Sequence, residues 1–424
     1  MSTCFWLVVI LAVMAQISLL LHVRPDLALA VTVFVGVGAS FLPQSFGVSV
    51  GSITISPSDG LAVALLVAVA IGLATRRFNA PPARLWWFLL ALVALAALRG
   101  APDFGLEEVG NAVRSHLHFF AVGLFFASMP ASTRLAETMH RCWALASWAL
   151  IGTAVVVWFD HGFEGGMEER ALSSAAALIV AQATIMSIAR ERTTRLTRFL
   201  PAAGLITLLL VQQRTVWAAT VASFAAVAIR NASHHDGNVR RARLFLGAAV
   251  VAVALLVAGG PPEVGRSIDQ AVREPAGEDS TLAWRVEGWR QLLVRRSSVP
   301  AVDLVVGDPA GTGFQRRVGD SVTEVSAHNY YVAVLTTLGL VGLAALLLGY
   351  AAVLRRLGVL ARARAPVSND AAVLWMLVVG QLTYFIGYQA SMEQGIIAGL
   401  AGAAVWSTHA EQQPSGEGKH VLSA

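Results

Sequence analysis

Apolar runs follow one another along almost the whole chain, and nothing else limits its fold so tightly. They lie at 5–21, 27–43, 60–74, 85–98, 117–129, 142–159, 171–189, 199–211, 215–229, 244–260, 329–354, 371–388 and 394–408. A helix crosses a hydrocarbon core of about 30 Å with roughly 20 apolar residues, and with fewer where flanking side chains snorkel. Backbone polar groups find no water at that depth, so each run must close its own hydrogen bonds as a helix. The pattern predicts an all-α, polytopic bundle of about 12–13 transmembrane helices. Composition agrees. Only 13% of the 424 residues are charged and mean hydropathy is +0.64, whereas ordinary soluble domains carry about 25% charged residues. So few charges cannot coat a soluble globule of this size, and a soluble enzyme is excluded.

The organisation that follows is one transmembrane domain over 1–408, with a large hydrophilic loop inserted at 261–328 and a polar, disordered cytoplasmic tail at 409–424. The first run has no basic segment before it and no cleavage site after it, so it is expected to remain as a helix. The two cysteines, Cys4 and Cys142, supply neither a disulfide framework nor a thiolate metal site. A net charge of +5 would raise the question of nucleic acid in a soluble protein. Here the Arg residues sit in short loops, which is the footprint of membrane topology, and no nucleic-acid partner is expected.

Arg also sets the orientation. The loops holding Arg76, Arg77 and Arg84; Arg134 and Arg141; Arg190, Arg192, Arg195 and Arg198; Arg230, Arg240, Arg241 and Arg243; and Arg355, Arg356, Arg362 and Arg364 fall on one side of a thirteen-span path. That side is the cytoplasm. The opposite side receives an acidic loop at 160–170 and the 261–328 loop, whose eight Arg nearly balance ten Asp and Glu.

One stretch is diagnostic on length. Residues 199–229 are apolar apart from Gln212, Gln213 and Arg214, and as one helix they would run roughly 46 Å. Both flanks are Arg-rich, so the stretch is expected to cross twice as a hairpin with Arg214 at its tip, below the membrane surface. A charge at that depth belongs inside protein or beside water. The plain alternative is a turn whose Arg snorkels to lipid phosphates.

Within the large loop, 280–296 reads STLAWRVEGWRQLLVRR, with Leu282, Val286, Trp289 and Leu293 at helical spacing. Taken alone, this is an interfacial helix anchored by Trp284 and Trp289, with Arg for headgroups. A turn follows in which Gly307, Gly311 and Gly313 precede Phe314. Then comes 327–348, AHNYYVAVLTTLGLVGLAALLL, where His328 and Asn329 stand at the start of a long helix. A single His there reads as a cap.

The order of these parts changes that reading. An Arg at a hairpin tip, Arg285 and Trp289 four apart, a Gly-rich turn ending in Phe314, and His328-Asn329-Tyr330 leading into Leu338-Gly339-Leu340-Val341-Gly342-Leu343 resemble the O-antigen ligase and polymerase superfamily of bacterial envelope polysaccharide enzymes. The resemblance covers about 200–348. It implies a GT-C-like bundle in the bacterial inner membrane, surrounded by membrane lipids. It also implies transfer of a glycan from an undecaprenyl-type, polyprenyl-diphosphate carrier to a saccharide or glycolipid acceptor on the extracytoplasmic face.

On that reading Arg214 and Arg285 clamp the diphosphate, because the planar guanidinium binds phosphate oxygens bidentately and stays protonated. His328, with an ordinary pKa of about 6.5, takes the acceptor's proton. Asn329 orients it, and Trp284, Trp289 or Tyr330 stack on sugar rings or anchor the interface. With no Asp-x-Asp pair and no His/Cys cluster, the sequence asks for no metal and no cofactor.

Two other readings stand beside this one. Glu107 and Glu108, between Arg99 and Arg114, could serve a metal-dependent membrane glycosyltransferase from an early outer loop. A transporter or flippase of lipid-linked glycan would show repeated halves with broken helices in matching places, and no repeat is found.

Overall fold

The computed structural model describes residues 3–39, 41, 47–50, 53–78, 80–130, 132–161, 171–190, 194–231, 281–318, 321–324, 326–362 and 368–412. The expected span at 244–260, the first part of the large loop at 261–280, most of the acidic loop (162–170) and the end of the tail (413–424) lie outside them.

The described residues are mostly helical, with two small antiparallel ribbons. Helices α1 (Thr3–Val23) and α2 (Pro25–Ala39) turn through 117° at Arg24. Pro25 lacks an N–H and cannot continue α1, but it suits the first turn of α2. Strands β1 (Val48–Val50) and β2 (Ile53–Ile55) form a ribbon. It leads to α3 (Pro57–Ala74), which is opened by a capping box in which Ser56 and Asp59 each bind the other's backbone N–H. Next come α4 (Ala80–Ala127), α5 (Thr133–His161), α6 (Ser174–Ala189), the short α7 (Arg195–Arg198), α8 (Leu200–Val211) and α9 (Arg214–Asn231). After the loop come α10 (Thr281–Arg296), α11 (Ala301–Val306), the ribbon β3 (Arg316–Val318) and β4 (Ser321–Thr323), α12 (Tyr330–Leu360), α13 (Ser368–Tyr384) and α14 (Met392–Gln412).

By length and composition α3, Ala83–Ala127 of α4, Thr133–Asp160 of α5, and α12 can each cross a membrane. The bent pair α1–α2 adds a fifth path, and α6 and α8 are shorter apolar helices. The chain is a multi-pass, all-α membrane protein. Helix α14 runs four residues into the stretch expected to be a disordered tail.

The segment expected as a loop around Glu107 and Glu108 is helical on both sides of a single break at Gly105 (φ 78°). Val109 and Val113, one turn apart, are buried and give that half of α4 its packed stripe, while Glu107 and Glu108 are exposed.

Close helix approach is built on small residues. A Cβ on Gly395 would lie 2.6 Å from the Phe119 carbonyl, and one on Gly399 equally close to that of Gly123. Helices α4 and α14 therefore meet backbone to backbone, a mode of packing suited to an apolar solvent that does not itself drive helices together. Beside this contact Phe119, Tyr330 and Phe385 interlock, with ring centroids 4.8 to 5.8 Å apart. This aromatic knot fixes the first turn of α12.

Helix α12 breaks at Gly339 (φ 67°, ψ −171°), and α11 with the turn after it fills the gap. Asp308 N–H donates to the Thr336 carbonyl at 2.8 Å, and Ala310 N–H donates to the Ala96 carbonyl of α4 at 2.9 Å. Residues 301–314 are thus a wedge between two broken helices, and the wedge satisfies carbonyls on both. At Gly339 any side chain would meet the Val305 carbonyl, 2.2 Å from an ideal Cβ, in a conformation essentially restricted to glycine.

Gly339→Ala is accordingly expected to lower thermal stability in lipid by about 1–3 kcal/mol. Gly110→Ala, in α4 with open space where its Cβ would go, should be neutral or slightly stabilising. Equal melting temperatures for the two variants would show that the break at Gly339 is not under constraint.

Candidate functional site

Helix α10 is seated on the head of α12 by a small apolar cluster of Leu292, Ala327, Val332 and Ala333, with Trp289 and Phe314 packed against it. The Trp289 indole N–H donates to the Ala327 carbonyl at 2.7 Å. Gln291 bonds both backbone groups of Arg317, which registers the β3–β4 ribbon against the same helix. The opposite stripe of α10, Leu282, Val286 and Leu293, is exposed.

These contacts present His328. Its backbone is left-handed (φ 47°), uncommon outside glycine and a source of strain. The following residue supplies the helix cap: Asn329 Oδ1 accepts the Val332 N–H at 3.1 Å. The cap is therefore Asn329, not His328, and its side-chain oxygen is taken up by this bond. The His328 ring is half-buried, 6.1 Å from the Trp284 ring. Burial, reinforced by the guanidinium charges of Arg285 and Arg316, pushes its pKa down to about 4, so near neutrality it is an uncharged imidazole with an open lone pair.

A helix break stands where the hairpin is expected, at 212–213. Gln212 takes the left-handed conformation between α8 and α9, and the Trp217 indole reaches back to the Leu208 carbonyl at 2.6 Å. Arg214 is the first residue of α9, where a cation opposes the helix dipole, so local helix stability does not explain it.

What joins the hairpin to α10 is the turn between α13 and α14. Tyr388 O–H donates to Gln213 Oε1 at 2.8 Å, and Gly387 makes room for Thr215, whose hydroxyl lies 2.5 Å from an ideal Cβ there. On the other side of the same turn Arg285 donates to the Gly387 carbonyl at 3.3 Å and lies 5.0 Å over the Tyr388 ring. Both neighbours of Arg214 thus grip the turn that holds Arg285, and Arg285 in turn charges the surroundings of His328.

One expectation changes and one residue is added. Tyr330 is fully buried in the aromatic knot, its hydroxyl 3.3 Å from His116 Nδ1, so its ring offers no face to a sugar. Trp284 and Trp289 remain half-buried at the edge of the site. Arg316, two residues after Phe314, was not singled out because it looked like one more loop charge. It is buried under Trp284, 5.3 Å from the ring.

Ion pairs support this arrangement from behind. Arg99 of α4 bonds Asp303 and the Gly307 carbonyl. Arg296 at the end of α10 bonds Asp308 and the Asp303 carbonyl, with side-chain exposures of only 5% and 7% for Arg296 and Asp308. Removing one partner of a buried pair leaves a charge uncompensated. Asp308→Ala should therefore cost about 3–5 kcal/mol, and the paired Arg296→Met, Asp308→Leu variant clearly less. Thermal unfolding of both in lipid checks this. A double variant no more stable than the single one would overturn the ion-pair account.

A polytopic helical membrane protein with a cationic site, assembled at one end of the bundle from a loop helix, a hairpin tip and an interhelical turn, is the class these features define. Residues 199–347, about a third of the chain, match the family model described as O-antigen ligase. No curated protein matches the chain.

Proposed function

We propose that the protein is a glycosyltransferase that moves a glycan from a polyprenyl-diphosphate carrier to an acceptor sugar at the extracytoplasmic face of the bacterial inner membrane. One observation carries the reading. Arg285 and the two neighbours of Arg214 hold the same Gly387–Tyr388 turn, and His328 lies beside Trp284, the residue before Arg285. Guanidinium groups and a neutral imidazole are the kinds of group a diphosphate leaving group and an acceptor proton call for.

The acceptor hydroxyl attacks the anomeric carbon and gives its proton to His328. The bond from that carbon to the diphosphate oxygen breaks, its electron pair stays on the phosphate, and Arg214 and Arg285 hold the charge that gathers there. Trp284 and Trp289 border the saccharide. Before the donor binds, His328 is a weak base. The diphosphate's negative charge offsets the nearby guanidinium charges and strengthens the base where it is needed.

The test uses the purified protein in lipid with a polyprenyl-diphosphate oligosaccharide, candidate acceptors and a chelator, and follows release of the carrier. Release is expected to persist with chelator and to fall about 10²–10⁴-fold in His328→Ala. The product's length ladder then separates polymerase from ligase. Movement of the intact lipid-linked sugar across the bilayer without carrier release would replace this reading with transport.

The pH dependence has a definite sign. His328 must be neutral to accept a proton, so activity falls as pH drops through its pKa. For kcat/KM, which reports the donor-unoccupied protein, the acid limb should lie near pH 4. For kcat it should lie at higher pH, because the bound diphosphate raises the pKa. Coincident limbs would remove the donor-coupled account of the base.

A further inference from the structure

We infer that the pocket between the wedge, α4 and the first segment of α12 is a saccharide subsite, which takes one uncharged sugar ring of the donor or acceptor glycan. The inference rests on the transferase reading and assigns the part of the substrate that the arginines leave out.

The pocket is an open depression of about 290 Å³, solvent included, near the lower end of the roughly 300–1,000 Å³ spanned by ligand pockets. That is room for one ring and not for a glycan chain. Its walls are preformed. The Asp308 and Ala310 N–H groups fasten the wedge to Thr336 and Ala96, and the Asp308 carboxylate is bonded to Arg296 at the end of α10. Phe314, one of the lining residues, packs against the cluster that contains Ala327, the residue before His328.

The lining specifies a class of ligand. It contains no basic residue, and its one ionisable side chain is the carboxylate of Asp308, so a diphosphate gains nothing there. What the pocket offers is apolar on one side and polar on the other. Ala112, Pro309 and Phe314 supply apolar surface. Beside them stand hydrogen-bonding groups that the fold leaves unused. Thr337 is only 7% exposed, yet its hydroxyl makes no hydrogen bond among the described residues, whereas the Thr336 hydroxyl turns back to the Val332 carbonyl at 2.9 Å. The N–H groups of Gly311, Gly313 and Phe314 likewise donate to no described residue.

Polar groups without partners are costly in a recess, and an apolar chain would leave them so. A sugar ring meets both sides of the pocket at once: its C–H face is apolar, and its edge carries hydroxyls that donate and accept.

The experiment reads binding and turnover on the same protein in nanodiscs. Saturation-transfer NMR uses glucose and N-acetylglucosamine as probes, with and without inorganic pyrophosphate, and the kinetics follow carrier release. Thr337→Val keeps the shape of the side chain and deletes only the unbonded hydroxyl, so it should melt like wild type. It should raise KM for one of the two glycan substrates about 3–10-fold, the loss expected for one hydrogen bond, with kcat nearly unchanged. A rise in acceptor KM puts the acceptor's sugar in the pocket, and a rise in donor KM the donor's.

Ala112→Leu fills the pocket from the α4 side without touching a polar group. It should abolish the probe signal and raise the same KM further. In wild type that signal should survive pyrophosphate, which competes for the arginines and not for this pocket. Unmoved KM values in both variants, with probe signals equal in wild type and Ala112→Leu, would make the pocket a hydrated cleft and overturn the inference. Displacement of the probe by pyrophosphate would overturn it too, because the sugar would then sit at the clamp. Wild type that releases no carrier would instead sink the transferase reading, while a probe signal lost in Ala112→Leu would still uphold a saccharide site.

Discussion

The arrangement depends on a backbone constraint. An interrupted helix leaves backbone groups to be satisfied, and the wedge brings donors to α12 three residues before its break at Gly339 and to α4 nine residues before its break at Gly105. Asp308 and Ala310 donate their N–H groups to Thr336 and Ala96, and the positive φ of Gly307 and Gly339 lets the two backbones close to contact. The loop is thereby anchored to both helices rather than draped over them. Everything presented above the wedge, including α10, the ribbon and His328, inherits a fixed position from it.

Above that base, local stability is repeatedly set aside at the site. His328 and Gln212 adopt left-handed backbones. Arg214 opens a helix against its dipole, and Arg316 is buried. Each feature is unfavourable alone and persists because neighbouring contacts overdetermine it: Trp289 and Asn329 around His328, Tyr388 and Trp217 around the hairpin, Gly288 and Trp284 around Arg316. Strain of this kind gathers where a surface must be ready for a charged ligand before the ligand arrives.

Legibility followed the range of the interactions. The hairpin at 212–214 could be read because a 31-residue apolar stretch cannot cross once. Helix α10 could be read from its four-residue spacing, and the turn glycines from the residue type that positive φ demands. What could not be read were contacts between distant segments. Gln213 and Tyr388 are 175 residues apart, and no local pattern announces that they meet. Tyr330 carries the same amphipathic ring whether it borders a sugar or fills a core, and only the convergence of Phe119 and Phe385 decides. The segment between Arg99 and Arg114 reads as a loop in sequence because its paired Glu107 and Glu108 interrupt the apolar runs, although Val109 and Val113 keep the helical period.

This division bears on how the chemistry is distributed along the chain. The family match ends at Leu347, and it contains Arg214, Arg285, His328 and the wedge. Yet the turn that relates the hairpin to α10 lies at Gly387 and Tyr388, and one of the two helices that receive the wedge is α4; both are outside the match. The residues proposed to act on the donor are therefore held in register by elements with no motif of their own. Their constraint is geometric: a small residue at 387 opposite Thr215, an aromatic at 388 under Arg285, a close-packed Gly100 where the Ala310 carbonyl approaches. Such a scaffold can vary in sequence wherever those contacts are kept.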